Sequence, residues 1–274
     1  MILGLSSGLA HKTPEEWAKR LADIGARAVV FPVDSTADEE IIAAYEKAAR
    51  DNDLVIAEVG VWRNTLSADP AEKEACIQYA IGQLRLADRL HSRCCVNVLG
   101  TPCGPRWDGG YRGNFSKEVY EDAIAMIRRI IDEAKPVNTK YTIESMPWMI
   151  PTGPDEYLKL IEDVDRPEFG VHLDPINMIT SPKRYFFNDE FLRECFDKLK
   201  GRICSCHLKD INLREEYTFM LEECACGKGT LDIELYAQLA TKEDPHMPMI
   251  IEHLGSDEEY LDSLTYVQKR LGIL

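Results

Sequence analysis

The sequence predicts an α/β fold, a single (β/α)8 TIM barrel that spans residues 1–274 as one domain. Short apolar segments alternate with helical segments eight times, which is typical of parallel strands joined by helical crossovers. No linker or change of composition divides the chain, and 274 residues suffice for one barrel. A doubly wound open sheet is the alternative. It normally carries a glycine-rich turn after its first strand, which Gly4 and Gly8 do not supply.

The strands are predicted from brief apolar runs that end at polar or turn-forming residues. In chain order they cover residues 3–5, 28–31, 54–59, 95–99, 141–144, 169–174, 203–207 and 249–252. The sixth is the most informative, because Pro175 stops it directly after Asp174. Side chains alternate along a strand, so His172 and Asp174 should share one face. A charged group on a buried face requires a partner.

A helix is predicted after each strand. The predicted helices cover residues 13–24, 38–50, 71–90, 116–134, 155–163, 189–199, a segment from 233 onward, and 257–270. The first begins at Thr13, which forms a capping box with Glu16 and precedes a proline. A polar excursion separates strand seven from Gly227-Lys228-Gly229, and these glycines predict a turn rather than a phosphate-binding loop. An unphosphorylated substrate is therefore favoured.

Composition excludes several classes of partner. The net charge of −15, from 32 basic and 47 acidic residues, disfavours nucleic acid and anionic membranes. No apolar run reaches the roughly 18 residues that a membrane span needs, and the N-terminus does not resemble a signal peptide, so a cytoplasmic location is expected. The nine cysteines predict reduced thiols rather than a disulfide framework. Zinc binding by the Cys-x-Cys pairs 204/206 and 224/226 is the alternative.

Chemistry in such a barrel lies where the strands end. The polar residues at those ends are Glu58, Asn97, Glu144, Asp174, His207 and Glu252. The last four follow consecutive strands, and three carboxylates without a balancing arginine or lysine would repel one another strongly. A divalent cation would relieve this repulsion, and the donor set suits Mn²⁺, Mg²⁺ or Co²⁺, with Zn²⁺ as an alternative. Each residue alone could equally be a loop carboxylate or a core histidine.

Five motifs carry a resemblance to a known family. They are Thr142-Ile143-Glu144-Ser145, His172-Leu173-Asp174-Pro175, His207-Leu208-Lys209-Asp210, Gly227-Lys228-Gly229-Thr230-Leu231-Asp232 and Ile251-Glu252-His253. In this order and spacing the chain resembles the xylose isomerase-like barrel superfamily of sugar isomerases and epimerases. The resemblance implies one divalent metal ion, Mn²⁺ before Mg²⁺, Co²⁺ or Zn²⁺, held by Glu144, Asp174, His207 and Glu252. It also implies that Glu144 and Glu252 exchange protons with the substrate.

The resemblance implies an enzyme, a metal-dependent isomerase or epimerase of a sugar or polyol that removes a proton next to a carbonyl. The alternative is a metal-dependent lyase or dehydratase acting on a keto-sugar, an inosose or a 3-keto-glycoside. Two differences from ketose epimerases leave both reactions possible. At the position of Asn177 those enzymes commonly carry a histidine that contacts the substrate. The arginine that they place shortly after the metal-binding histidine has no clean match here, although Arg214 lies nearby. A three-zinc endonuclease is disfavoured by only six histidines, and a non-catalytic sugar-binding barrel by the intact ligand set.

Six residues are predicted to bind the substrate, a small-molecule sugar or polyol: Trp62, Asn97, Trp107, His172, Asn177 and Lys209. Trp62, Trp107 and Trp148 follow strands three, four and five, and indoles stack well on sugar faces. Packing of loops over the barrel is the alternative role of the tryptophans. His172 could instead bind a metal ligand or serve the core. A homo-oligomer is compatible with the superfamily, although no surface patch indicates one.

Overall fold

The computed structural model describes residues 1–273, and its eight parallel strands form a closed barrel, which confirms the predicted fold class. The strands are β1 (Ile2–Leu5), β2 (Ala28–Val30), β3 (Val55–Gly60), β4 (Cys94–Asn97), β5 (Tyr141–Glu144), β6 (Phe169–Leu173), β7 (Ile203–Leu208), β8 (Asp210–Arg214), β9 (Met220–Cys224) and β10 (Pro248–Ile251). All except β8 and β9 belong to the barrel, which closes where β1 pairs with β10. The predicted single domain also includes Leu274, which lies outside the described residues.

Ten α-helices surround the strands or follow them among the described residues. They are α1 (Pro14–Asp23), α2 (Glu39–Asp51), α3 (Pro70–Arg89), α4 (Lys117–Ala134), α5 (Pro154–Val164), α6 (Pro175–Met178), α7 (Pro182–Phe186), α8 (Asn188–Lys198), α9 (Ile233–Glu243) and α10 (Asp257–Arg270). The predicted cap of α1 is confirmed, because the Thr13 hydroxyl accepts a hydrogen bond from the Glu16 backbone N–H at 3.2 Å. A 3-10 helix, Arg112–Phe115, interrupts the loop before α4.

The core fills the layer between the barrel and the helices. Trp17 of α1, Leu84 of α3 and Ile127 of α4 are fully buried there. Helices α1 and α4 present apolar residues on one face and charged residues on the other, as expected for helices that pack on a sheet. Burial of apolar surface, worth roughly 25 cal/mol per Å², is what holds the helices against the strands.

Two buried tyrosines connect the helix layer to the strand ends that carry the site. The hydroxyl of Tyr157, from α5, lies 2.8 Å from the carbonyl oxygen of Ile143 and 3.0 Å from that of His172. The hydroxyl of Tyr236, from α9, lies 3.2 Å from the carbonyl oxygen of Leu173 and 3.0 Å from that of His207. Each tyrosine therefore joins two neighbouring strands, β5 to β6 and β6 to β7.

The polar excursion after strand seven forms an antiparallel hairpin, β8–β9, outside the barrel. Its strands were not predicted from the sequence, because charged and apolar residues alternate only briefly there. Two short helices, α6 and α7, were also not predicted after β6. The sixth strand ends at Leu173 rather than Asp174, because the Asp174 carboxylate caps α6.

Two observations concern membrane-spanning helices and the cysteines. Within residues 1–273, every helix is too short or too polar to cross a membrane. All nine cysteines are free thiols, and none belongs to a cluster of three or more metal-binding side chains in the described part of the chain.

Candidate active site

The four predicted metal ligands converge at the carboxyl-terminal end of the barrel. Glu144 ends β5, Asp174 follows β6, His207 lies in β7 and Glu252 follows β10. One ligand atom from each lies within 4.8 Å of every other, and all four side chains are buried. The strands β5, β6, β7 and β10 are neighbours in the barrel, so parallel register is what brings these residues to one point.

His207 lies between two sets of carboxylates. Its Nδ1 atom is 2.9 Å from Glu252 Oε2 and 3.1 Å from Glu144 Oε1, whereas its Nε2 atom is 3.2 Å from Glu58 Oε2. Burial alone would lower the pKa of His207, but the three carboxylates raise that pKa well above its ordinary value. In the metal-free protein this imidazole is therefore protonated.

Lys209 lies among the proposed metal ligands, which the sequence did not predict. We expected no basic side chain among the three carboxylates, yet its Nζ atom lies 2.7 Å from Glu252 Oε1 and 2.8 Å from Asp174 Oδ2. Lys209 is almost fully buried. The Lys209 ammonium offsets part of the negative charge of the three carboxylates, so the repulsion that the sequence suggested is only partly present without a metal.

Asp174 carries the best test of whether a cation fits. Its Oδ1 atom accepts hydrogen bonds from the backbone N–H groups of Ile176 at 2.9 Å and Asn177 at 3.2 Å. Its Oδ2 atom is buried and pairs with the Lys209 ammonium at 2.8 Å. Burial raises the pKa of Asp174 to about 6. Three buried carboxylates and an imidazole converge here with only one ammonium beside them, and this oxygen-rich donor set suits a divalent cation.

A second buried group adjoins His207, and the sequence argument did not include it in the site. The Glu58 carboxylate accepts hydrogen bonds from Ser205 Oγ at 2.6 Å and from His172 Nε2 at 2.9 Å, in addition to its contact with His207. Burial alone would raise the pKa of Glu58, but His172 and His207 lower it well below its ordinary value. From the sequence, Glu58 was named among the polar residues at strand ends but was given no role, and contact with a metal ligand was an alternative for His172.

Two adjoining cavities open at the same end of the barrel. The larger, about 500 Å³, is lined by Arg106, Asp108, Met146, Pro147, Trp148, Ile176, Asn177, Ile179, Thr180, Ile211, Phe219, Leu221, Glu222, Glu223 and His253. The smaller, about 320 Å³, reaches Lys209 and Glu252 and shares Glu223 and His253 with the larger. Glu223 Oε2 lies 3.0 Å from His253 Nδ1, so this pair lies where the two cavities meet.

The closed barrel agrees with one known family. The sequence model of the xylose isomerase-like TIM barrel matches residues 18–270. The chain belongs to this family. No curated protein sequence matches it significantly.

Solved structures of similar fold cover nearly the whole chain. A xylose isomerase-like TIM barrel protein from Mycobacterium smegmatis, in complex with magnesium, has a TM-score of 0.70 and 18% identity over 95% of this chain and 89% of that chain. A D-psicose 3-epimerase, solved in the presence of D-fructose, has a TM-score of 0.72 and 16% identity over 99% of this chain and 100% of that one. A probable 3-DHS dehydratase from Bacillus anthracis has a TM-score of 0.72 and 17% identity over 99% of both chains.

The six predicted substrate-binding residues of this xylose isomerase-like barrel divide into two groups. Asn177 and Lys209 line the cavities. Trp62, Asn97, Trp107 and His172 do not line either of them in the described part of the chain. Asn97 is buried and binds the backbone of Arg63, and His172 is buried against Glu58.

The aromatic side chains that line the larger cavity are not Trp62 and Trp107. Of the three tryptophans after strands, Trp148 is the one that lines the larger cavity. Its Nε1 atom donates a hydrogen bond to the Asp108 carbonyl at 2.7 Å, which fixes the indole against the 100–114 loop. Phe219 and Glu223 come from the unpredicted hairpin, and His253 follows a metal ligand directly, a signal that the sequence did contain.

Asn177, where the chain departs from ketose epimerases, contacts Glu144. Its amide nitrogen lies 3.1 Å from Glu144 Oε1 and 3.0 Å from the Ser145 carbonyl oxygen. An amide at this position therefore orients one of the two proposed proton-transfer carboxylates. Its own exposure to the cavity is small, since Asn177 is 8% exposed.

The glycine-containing turn binds an internal carboxylate. Asp210 accepts hydrogen bonds from the backbone N–H groups of Gly227 and Gly229 at 3.0 Å, and from those of Ile211 and Leu231 at 2.9 Å. These N–H groups would otherwise form an anion-binding nest. Because Asp210 already fills it, the turn offers no phosphate site.

Proposed function

We propose that this chain is a divalent-metal-dependent isomerase or epimerase of an unphosphorylated sugar or polyol. The observation that carries the proposal is the convergence of four ligand atoms, from Glu144, Asp174, His207 and Glu252, within 4.8 Å of one another at the mouth of a closed barrel. Three of these side chains are buried carboxylates, and the one ammonium beside them, that of Lys209, offsets only part of their negative charge.

Glu144, Asp174, His207 and Glu252 would hold the ion, with Mn²⁺ as the first candidate. When bound, the ion would supply Lewis acidity to a substrate carbonyl and so raise the acidity of the neighbouring C–H group. Glu144 and Glu252 both contact one imidazole nitrogen, at 3.1 and 2.9 Å from His207 Nδ1. One carboxylate removes the proton and the other returns it, to the opposite face of the same carbon or to its neighbour.

The cavities favour a neutral, polyhydroxylated substrate. Arg106 is paired with Asp108 at 2.7 Å, and Glu223 with His253 at 3.0 Å, so these charges of the lining are matched internally. An anionic substrate such as a sugar phosphate would need a cationic partner that Arg106 does not supply. Trp148 and Phe219 provide aromatic surface for the C–H face of a sugar, and about 500 Å³ suits a ligand of that size.

A panel of ketoses, inososes and keto-glycosides, incubated in D₂O with Mn²⁺, tests this function. We expect deuterium at a carbon next to a carbonyl, in a product with the same carbon skeleton as the substrate. Deuterium incorporation should disappear after chelation and return when Mn²⁺ is added. Absence of solvent deuterium from every product would contradict a proton-transfer mechanism.

His253 supports the second candidate, a metal-dependent lyase or dehydratase acting on a keto-sugar, an inosose or a 3-keto-glycoside. Its imidazole lies at the cavity surface, next to Glu252 in sequence and 3.0 Å from Glu223. A histidine there could donate a proton to a departing hydroxyl or alkoxide while a glutamate removes the α-proton. The same panel separates the two functions, since elimination yields an unsaturated or cleaved product and epimerisation conserves mass.

A further inference from the structure

Glu58 lies in β3, which carries none of the four proposed metal ligands, yet its carboxylate is completely buried next to one of them. Its two oxygens have different partners. Oε1 accepts hydrogen bonds from Ser205 Oγ at 2.6 Å and His172 Nε2 at 2.9 Å, and Oε2 lies 3.2 Å from His207 Nε2. A buried carboxylate is costly unless its partners compensate, so this arrangement requires a role.

The two nitrogens of His207 point to different groups. Nδ1 is the nitrogen near the carboxylates of Glu144 and Glu252, and Nε2 is the nitrogen near Glu58. A histidine that binds a cation must present a lone pair on the ligating nitrogen and carry its proton on the other. A carboxylate that accepts the second N–H fixes both the tautomer and the ring orientation.

We propose that Glu58 is the positioning residue of His207, holding the proton on Nε2 so that Nδ1 presents its lone pair to the cation. This inference rests on the proposed function only in assuming that a cation binds. Ser205 and His172 hold the Oε1 side, which stops the carboxylate from turning away. The ring centroid of His172 lies 4.1 Å from that of His207 in an edge-on arrangement, so the two imidazoles also restrain each other.

A second metal ion shared by Glu58, His172 and His207 is the competing interpretation, because their ligand atoms also lie within 4.8 Å of one another. The charges favour hydrogen bonds instead. This cluster has one carboxylate against two imidazoles, so a divalent ion would leave a net positive charge in a fully buried site, whereas the other cluster supplies three carboxylates. Glu58 Oε1 also accepts a hydrogen bond from Ser205 Oγ at 2.6 Å, and its contacts with the imidazoles, at 2.9 and 3.2 Å, complete a hydrogen-bonded group.

The test is Zn²⁺ binding by Glu58→Gln, with Glu40→Gln as the matched control. Glutamine keeps the shape of the side chain and removes its charge, and Glu40 is exposed in α2. We expect the Kd for Zn²⁺ to rise about 10- to 100-fold in Glu58→Gln and to stay unchanged in Glu40→Gln. An unchanged Kd in Glu58→Gln, or two ions per wild-type chain, would overturn the inference.

Nitrogen-15 NMR of the Zn²⁺-loaded wild-type protein gives a readout that needs no variant. The His207 Nδ1 signal should report a metal-bound nitrogen and the Nε2 signal a protonated one that exchanges slowly with solvent. Ligation through Nε2 would refute the role of Glu58. Wild-type protein that binds no Zn²⁺ would overturn this inference, and the proposed function would fall with it if the same protein bound no Mn²⁺. Protein that binds Zn²⁺ as expected but turns over no substrate would count against the proposed reaction alone.

Discussion

The Lys209 ammonium lies 2.8 Å from Asp174 Oδ2, and both side chains are almost completely buried. Its other buried contact, with Glu252 Oε1, is 2.7 Å long. In the metal-free protein this lysine is therefore an internal counter-charge for two of the four proposed ligands. A divalent cation that binds the same oxygens must share them with Lys209 or displace it.

Replacing Lys209 by methionine should have opposite effects on stability and on metal binding. Without the ammonium, two buried carboxylates lose their partner, so the metal-free protein should lose about 3 kcal/mol of unfolding free energy. The affinity for Mn²⁺ should rise, because a positive charge next to the ligands has been removed. Chemical denaturation and isothermal titration calorimetry measure the two quantities. Weaker Mn²⁺ binding by Lys209→Met would mean that Lys209 does not compete with the cation.

The two glutamates should be required for turnover beyond their role as ligands. Glu144→Gln and Glu252→Gln each keep an oxygen that can bind a cation but cannot accept a proton. We expect kcat to fall at least about 100-fold in each variant at saturating Mn²⁺, with metal content checked by elemental analysis. Glu118→Gln, an exposed substitution in the first turn of α4, is the control and should behave like the wild type. Full activity in either site variant would refute the paired-glutamate mechanism.

Metal binding should release a proton and strengthen as the pH rises. Neighbouring carboxylates hold the pKa of His207 well above its ordinary value of about 6.5, so the metal-free imidazole is protonated at neutral pH. A cation needs the Nδ1 lone pair and must displace that proton. Calorimetry in buffers of different ionisation enthalpy should detect the released proton. A Kd that does not change with pH would contradict this account.

The raised pKa of His207 also predicts how the stability of the metal-free protein depends on pH, and this trend is opposite to that of metal affinity. A raised pKa in the folded state means that His207 contributes stability fully below its unfolded pKa, about 6.5, and that this contribution is lost as the pH rises through the folded value. Metal-free protein should therefore lose stability towards alkaline pH, while metal-loaded protein is protected by tighter binding. Thermal melting with and without Mn²⁺ across this range compares the two trends.

Tyr236→Phe should destabilise the barrel by about 1–2 kcal/mol, because its hydroxyl serves the buried carbonyls of Leu173 and His207. Tyr217→Phe is the matched control, since Tyr217 is fully exposed on the hairpin, and it should change stability by less than about 0.5 kcal/mol. Urea denaturation measures both. Equal stabilities for the two variants would show that the hydroxyl of Tyr236 contributes nothing.

The sequence predicted the barrel because its strand and helix periods alternate without interruption. The four ligands were predictable for a related reason, since parallel strands bring their carboxyl ends together. The sequence did not predict that Lys209 would lie among the carboxylates, because a side chain of that length can turn back towards the barrel mouth from a position beyond the strand end. The β8–β9 hairpin, with Phe219 and Glu223, was missed because its position over the cavity depends on tertiary contacts.

Glu58 shows a different limit of sequence reasoning. Its position in an apolar strand indicated an unusual environment, but its partners Ser205 and His172 are more than 100 residues away in the chain. Trp62 and Trp107 were assigned because each follows a strand and indoles stack well on sugar faces, although the direction of each indole depends on the path of its own loop. Neither tryptophan lines the cavities formed by residues 1–273.

The hydroxyls of Tyr157 and Tyr236 also have a consequence for engineering. Helices α5 and α9 supply these groups to carbonyl oxygens on β5, β6 and β7, the strands that position Glu144, Asp174 and His207. A chimera that transplants only the strands and loops of this barrel into another scaffold would leave the tyrosines behind. The smallest block that keeps both tyrosines with Glu144, Asp174 and His207 is therefore the contiguous segment from β5 to α9, and Glu252 must be supplied separately after β10.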